Sequence, residues 1–106
     1  MNSDTINLIW TCRDVCQTTF FSHCLESGGD HLNPSHVKIM LDCIAICQVT
    51  ADSLRRSSPM HAYICKLTAL VCDQCAKSCE AVGGMEMQNC AKVCRDCAAS
   101  CRDMAI

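Results

Sequence analysis

A chain of 106 residues is long enough for one domain with a modest core and too short for two. Half of its residues count as hydrophobic, but 13 are Cys and only 4% are aromatic, so the conventional apolar complement is ordinary to thin. The formal net charge of −2 comes from interspersed acids and bases with no basic run, which excludes nucleic acid and an anionic membrane surface as expected partners.

The first residues, MNSDTINLIWTCRDVC, lack the basic start, continuous apolar stretch and small-residue cleavage site of a secretory signal. No segment approaches the length of an apolar membrane span. The expected location is therefore the cytoplasm, where thiols stay reduced. Met1 is expected to fray.

Four helices follow from the punctuation of the chain. The first is expected from about residue 4 to 24, ending at SGGDHLNP, which holds two Gly and a Pro. Asn33 is an N-cap candidate with Pro34 at the first helical position, opening a second helix over 34–56. Ser58 and Pro59 repeat that signature for a third helix over 59–80. AVGG at 81–84 then supplies a C-cap glycine before a fourth helix over 86–104. Helices of about 20 residues are about 30 Å long, and the short connections imply antiparallel neighbours. The expected fold is all-α, an antiparallel up-down-up-down four-helix bundle forming a single domain over 1–106. CDQCAKSC at 72–79 resembles CRDCAASC at 94–101, a weak internal repeat compatible with duplication of a helical pair.

Steps of three and four residues trace one seam along each helix. The first gives Thr5, Ile9, Cys12, Cys16, Thr19 and His23; the second gives His36, Met40, Cys43, Cys47, Thr50 and Leu54. The third gives His61, Cys65, Thr68, Cys72, Cys75 and Cys79; the fourth gives Met87, Cys90, Cys94, Cys97, Cys101 and Met104. Every cysteine except Cys24 lies on a seam. With helix ends matched, the seams stack into layers with Cys16, Cys43, Cys72 and Cys94 at the centre. On one side of it lies a layer of Cys12, Cys47, Thr68 and Cys97, then one of Ile9, Thr50, Cys65 and Cys101. On the other side lies Thr19 with Met40, Cys75 and Cys90. The outermost layer there holds His23, His36, Cys79 and Met87, with Cys24 alongside. Thiols then line the bundle axis as a continuous column.

One or two buried cysteines are ordinary core filler. Thirteen, interleaved with Thr hydroxyls that make poor filler, are not. A disulfide wants Cβ atoms about 3.8 Å apart, whereas helical i,i+4 neighbours sit about 5–6 Å apart, so intrahelical bridges require distortion. Cross-helix bridges remain open under oxidising conditions. Iron–sulfur runs sit mainly in wrapping loops and carry a Pro that is absent here. The central layer of Cys16, Cys43, Cys72 and Cys94 is an alternative four-thiolate zinc site, for a zinc-binding bundle, a metal sensor or a chaperone. Zinc on four thiolates leaves a charge of −2 in a poorly hydrated core, and the other layers lack four thiols.

Cu(I) fits better. Soft thiolate and thioether ligands select it, two or three sulfurs satisfy it, and one Cu(I) per thiolate keeps the core near neutral. Two sulfurs across one such ion stand about 4.6 Å apart, taking about 2.3 Å per metal–sulfur bond. An i,i+4 pair reaches that with small rotamer changes. There are five such CxxxC pairs: Cys12/Cys16, Cys43/Cys47, Cys75/Cys79, Cys90/Cys94 and Cys97/Cys101.

With CxxxC and CxxC on all four helices, above all CDQCAKSC and CRDCAASC, the whole chain resembles the bacterial copper storage proteins, the cysteine-rich four-helix bundle family, cytosolic type. The resemblance implies storage of many Cu(I) ions inside a preformed bundle, chiefly on bridging thiolates, His and Met ligands near a mouth, and a homotetramer. The chain departs from it in carrying few thiols on its first two helices, where Thr19, Phe20, Met40 and Thr50 occupy or adjoin seam positions.

The expected ligands are therefore all thirteen cysteines together with His23, His36, Met40 and Met87. His61 reads as a capping or surface residue and His31 as a solvated loop residue, while Met60 and Met85 read as packing. A catalytic cysteine would need an exposed, low-pKa thiol beside a base, and no cysteine is distinguished that way. No DNA-binding element is visible for a sensor. The caps and seams are sufficient to fold the bundle without metal. The mouth is expected at the end holding the loop between the first two helices and AVGG, because His and Met collect there.

Overall fold

The structure, a computed structural model, describes residues 2–106; Met1 lies outside them. Helix α1 (Asn2–Thr18) continues without a break through a π-helical segment, Thr19–Cys24, into the last turn α2 (Leu25–Ser27). A 3-10 turn, Gly29–Leu32, leads into α3 (Pro34–Arg55), followed by α4 (His61–Val82) and α5 (Met85–Met104). The four rods pack in cyclic order, α1 on α3, α3 on α4, α4 on α5 and α5 on α1, within an envelope of 41 × 20 × 17 Å. This is the expected all-α four-helix bundle, with no strand among the described residues.

The caps follow local chemistry. The Asn33 side chain accepts the Ser35 amide at 3.0 Å, and Pro34 needs no amide partner at the first helical position. At the other end of α3, Ser57 takes a left-handed φ of 51°. Its amide donates to the Leu54 carbonyl and the Ser58 amide donates to that of Ser53, the two bonds of a Schellman stop with Ser in the usual Gly position. The Ser58–Pro59 signature predicts a helix start at Pro59. Instead residues 58–60 form a turn, with the Ser58 hydroxyl accepting the Met60 amide at 3.1 Å, and α4 begins at His61.

The π segment corrects the first seam. Thr19 and His23 are only half-buried, while Phe20 and Cys24 are buried and take the core positions expected for them. In an ideal α-helix at 100° per residue, the eight residues from Cys16 to Cys24 leave the latter about 80° off the seam. A π turn holds one extra residue and absorbs that offset. The core positions thus run Cys12, Cys16, Phe20, Cys24 in equal steps of four, and all thirteen cysteines are buried in the interior.

If the π turn is one inserted residue, deleting Phe21, whose side chain is half exposed, should return the rod to α register and keep both Phe20 and Cys24 inward. Native-state alkylation of the apo protein, read by mass spectrometry, should then label Cys24 no faster in the deletion variant than in the parent. Rapid labelling at Cys24 would refute this account of the segment.

Candidate metal centre

Sulfur meets sulfur mainly across helices. Cys12 Sγ lies 3.9 Å from Cys43 and 3.8 Å from Cys94, and Cys16 lies 3.5 Å from both Cys90 and Cys94. Cys72 lies 3.8 Å from Cys43 and 3.7 Å from Cys97. Three sulfurs around one metal at about 2.3 Å each are separated by about 4.0 Å, so these contacts have the span of trigonal coordination. The five intrahelical pairs expected from the spacing also meet side by side, so each joins a network that the cross-helix contacts complete.

Two groups bring four sulfurs within 4.8 Å of one another: Cys12, Cys47, Cys72 and Cys97, and Cys12, Cys16, Cys43 and Cys94. The expected quartet of Cys16, Cys43, Cys72 and Cys94 is not among them; Cys12 stands in for Cys72. Likewise Thr68 does not share the Cys12 layer but meets Thr50, with the hydroxyl oxygens 2.6 Å apart. The flat-layer register is therefore corrected to a staggered one. Side chains lean toward their own N-terminus, so antiparallel neighbours lean in opposite directions and each thiol falls between two on the facing helix.

The column changes chemistry toward the loops at 28–33 and 83–84. Met40 Sδ lies 3.5 Å from both Cys75 and Cys79. Farther out, Cys24 Sγ is 3.8 Å from His36 Nε2 and 3.8 Å from Met87 Sδ. His36 Nδ1 meets the Ser78 hydroxyl at 2.7 Å, which fixes the ring with Nε2 facing the thiol. A groove of about 190 Å³, lined by Asp30, Asn33, His36 and Ser78 among others, opens beside this trio. His23 stands outside it on the rim, its Nδ1 3.8 Å from a Glu86 carboxylate oxygen. Met85 is largely exposed and Met60 more than half so.

The opposite end is closed by Thr5, Ile9 and Leu54, all buried. Thr5 and Ser100 share a hydroxyl contact of 2.8 Å, and His61 Nδ1 meets the Ser58 carbonyl at 2.8 Å in the turn before α4. Cys65 and Cys101 lie together here, and Cys101 also meets Cys97 one turn along α5.

Burial governs the ionisation of the outer thiol: Cys24 is pushed up to about 11, first by desolvation and then by neighbouring Cys90 and Cys75. Deeper in, hydrogen bonds among thiols sort the protons. Cys16 is pushed up, chiefly by Cys12, while Cys43 is pulled down, again chiefly by Cys12. His36 is held below its ordinary value, first by burial and then by the nearby His31. It is therefore a neutral imidazole with a free lone pair, the form that binds metal.

A bundle whose interior is a run of soft ligands, graded to thioether and imidazole at one end, belongs to the class of metal-thiolate proteins. The family model for copper storage protein matches residues 1–106, and the chain belongs to that family. It is 32% identical over 94 residues to the uncharacterized cysteine-rich protein YhjQ of Bacillus subtilis (strain 168), covering 89% of this chain and 86% of that one. Among solved structures it resembles a protein of Nitrosospira multiformis, with a TM-score of 0.93 and 36% identity over 98% of this chain and 94% of that chain. It also resembles the Cu(I)-bound copper storage protein BsCsp3, with a TM-score of 0.90 and 30% identity over the whole of both chains.

Because the folded pKa of His36 lies below its unfolded value of about 6.5, its contribution to apo stability is present above that value and lost as pH falls through the folded one. Denaturant midpoints of the apo protein should therefore fall between about pH 7 and pH 5, and His36→Gln should flatten that dependence. An equal fall in the variant would place the acid sensitivity elsewhere.

Proposed function

We propose that this chain stores Cu(I), holding many ions per molecule on the thirteen cysteines, with His36, Met40 and Met87 as auxiliary ligands and His23 as an outer one. The observation that carries the reading is a fully buried run of free thiols with cross-helix Sγ separations of 3.5–3.9 Å. Two or three sulfurs satisfy each Cu(I), and bridging thiolates belong to more than one ion. Cys12, which belongs to both four-sulfur groups, suits such bridging.

The same sharing weakens the zinc alternative. A closed site of four thiolates at one group takes Cys12 from the other, so the two groups cannot both be filled without a shared ligand. Each would also leave two uncompensated negative charges in the core.

The role is storage rather than catalysis, because every cysteine is buried and none offers an exposed nucleophile. No helix among the described residues is long and apolar enough to cross a membrane, and a reducing cytoplasm is the compartment that would keep these thiols free for copper. We extend the reading to a homotetramer. Its support is the family resemblance and an apolar strip on α3 and α4, where Val49 and Leu67 are about half exposed beside Ile46 and Val71.

Anaerobic titration of the reduced protein should bind on the order of ten or more Cu(I) per chain, near one per thiolate. Light scattering on the same sample should give four times the chain mass. Saturation at one to four ions would overturn storage in favour of a zinc-type or chaperone site, and a monomer mass would overturn only the assembly.

The mouth is assigned to the end bearing Cys24, His36 and Met87. Substituting Leu for both His36 and Met87 should slow Cu(I) loading and its removal by a chelator while lowering capacity only slightly. Parental rates in that variant, with slowing in a His61→Leu, Met104→Leu variant, would reverse the polarity.

A further inference from the structure

Outside the thiol column, three side chains of another chemical type meet at the rim of the mouth. His23 comes from the π segment, His31 from the 3-10 turn and Glu86 from the first turn of α5. The His23 and His31 rings stand edge to face with centroids 4.9 Å apart, and His23 Nδ1 lies 3.8 Å from Glu86 Oε2. His31 Nε2 is buried from solvent and has no hydrogen-bond partner. An unpartnered buried nitrogen is costly, and neither the ring contact nor the His23–Glu86 pair relieves it.

We propose that His23, His31 and Glu86 form a second metal site, for one borderline divalent cation such as Cu(II) or Zn(II). Two imidazoles and a carboxylate suit such ions, whereas the soft Cu(I) prefers the sulfurs inside. Ligand atoms about 2.1 Å from one tetrahedral ion are separated by about 3.4 Å, so the 3.8 Å between His23 and Glu86 closes with a small movement, while the three ligand atoms do not yet all lie within 4.8 Å of one another and the ion must draw His31 in. Glu86 is more than half exposed and free to make it. The inference builds on the storage reading, because the thiols must already be occupied before a divalent ion is left to the rim. An ion held there ties together the three segments bordering Cys24, His36 and Met87.

The test adds one equivalent of Cu(II) per chain, without oxygen, to protein already saturated with Cu(I), and reads the electron paramagnetic resonance spectrum. The expected result is a bound type-2 signal with hyperfine structure from two nitrogens. His31→Ala should remove one nitrogen and weaken binding at least tenfold, and Glu86→Gln should weaken it several-fold. Both variants should keep the parental Cu(I) stoichiometry, which also shows that they fold. His61→Ala, at the far end of the bundle, should leave the signal unchanged. Absence of bound Cu(II), or a signal unaltered by His31→Ala, overturns the rim site while leaving the store intact. A low Cu(I) stoichiometry in the parent protein refutes the storage reading instead.

Discussion

The atoms that close the core of this bundle are the atoms that would hold its metal. In an ordinary helical bundle the seam is Leu or Ile, and ligands are added to a core that is already full. Here the seam side chains are small, so the helices must approach closely for sulfurs to meet at 3.5–3.9 Å. Buried alanines flanking the thiols, Ala51, Ala69, Ala76, Ala91 and Ala98, allow that approach. A larger residue at any of them would push two columns of sulfur apart. Packing and ligation are thus one constraint, and the spacing that satisfies the first sets the coordination available to the second.

Charge then selects the cargo. A buried thiol is a small neutral hydrophobe, and a buried thiolate is an uncompensated charge. Exchanging each proton for a monovalent cation leaves the interior neutral at every stage of filling, so ions can accumulate without a growing electrostatic penalty. A divalent cation on four thiolates cannot do this. The acids and bases that could compensate lie on the surface, where Arg95 and Arg102 pair with Asp73 and Glu80 between α4 and α5. Such exposed pairs are screened by solvent and do not reach the column.

This division explains what was legible in the sequence. The seams of α3, α4 and α5 could be read because thiols recur at undisturbed α spacing, and Asn33–Pro34 and Gly83–Gly84 mark the ends of those helices by local chemistry alone. The first rod could not be read that way, since residue spacing converts to direction only when the residues per turn are known. The signal was present as equal steps of four at Cys12, Cys16, Phe20 and Cys24, with Cys24 left off an α-helical seam. His31 was invisible for another reason: it lies in a loop, and only the turn at 29–32 brings it against His23. The stagger of the layers was hidden because it arises from side chains leaning in opposite directions on antiparallel helices, which no single helix records.

The two ends of the column differ in kind. Toward the loops at 28–33 and 83–84 the side chains change from paired thiols through Met40 to Cys24, His36 and Met87. Toward the other end, hydroxyls take over from sulfur on the α3–α4 side. Thr50 and Thr68 lie 2.6 Å apart, and each also approaches a carbonyl four residues earlier, those of Ile46 and Ile64. Two hydroxyl protons serve these three contacts, and hydroxyl oxygen is a hard ligand for a soft ion. Sulfur continues past this block only along α5, from Cys97 to Cys101 and across to Cys65. Beyond them Ile9 and Leu54 close the bundle. If Cu(I) enters beside Cys24, His36 and Met87, as proposed, Cys65 and Cys101 are the last sulfurs it reaches.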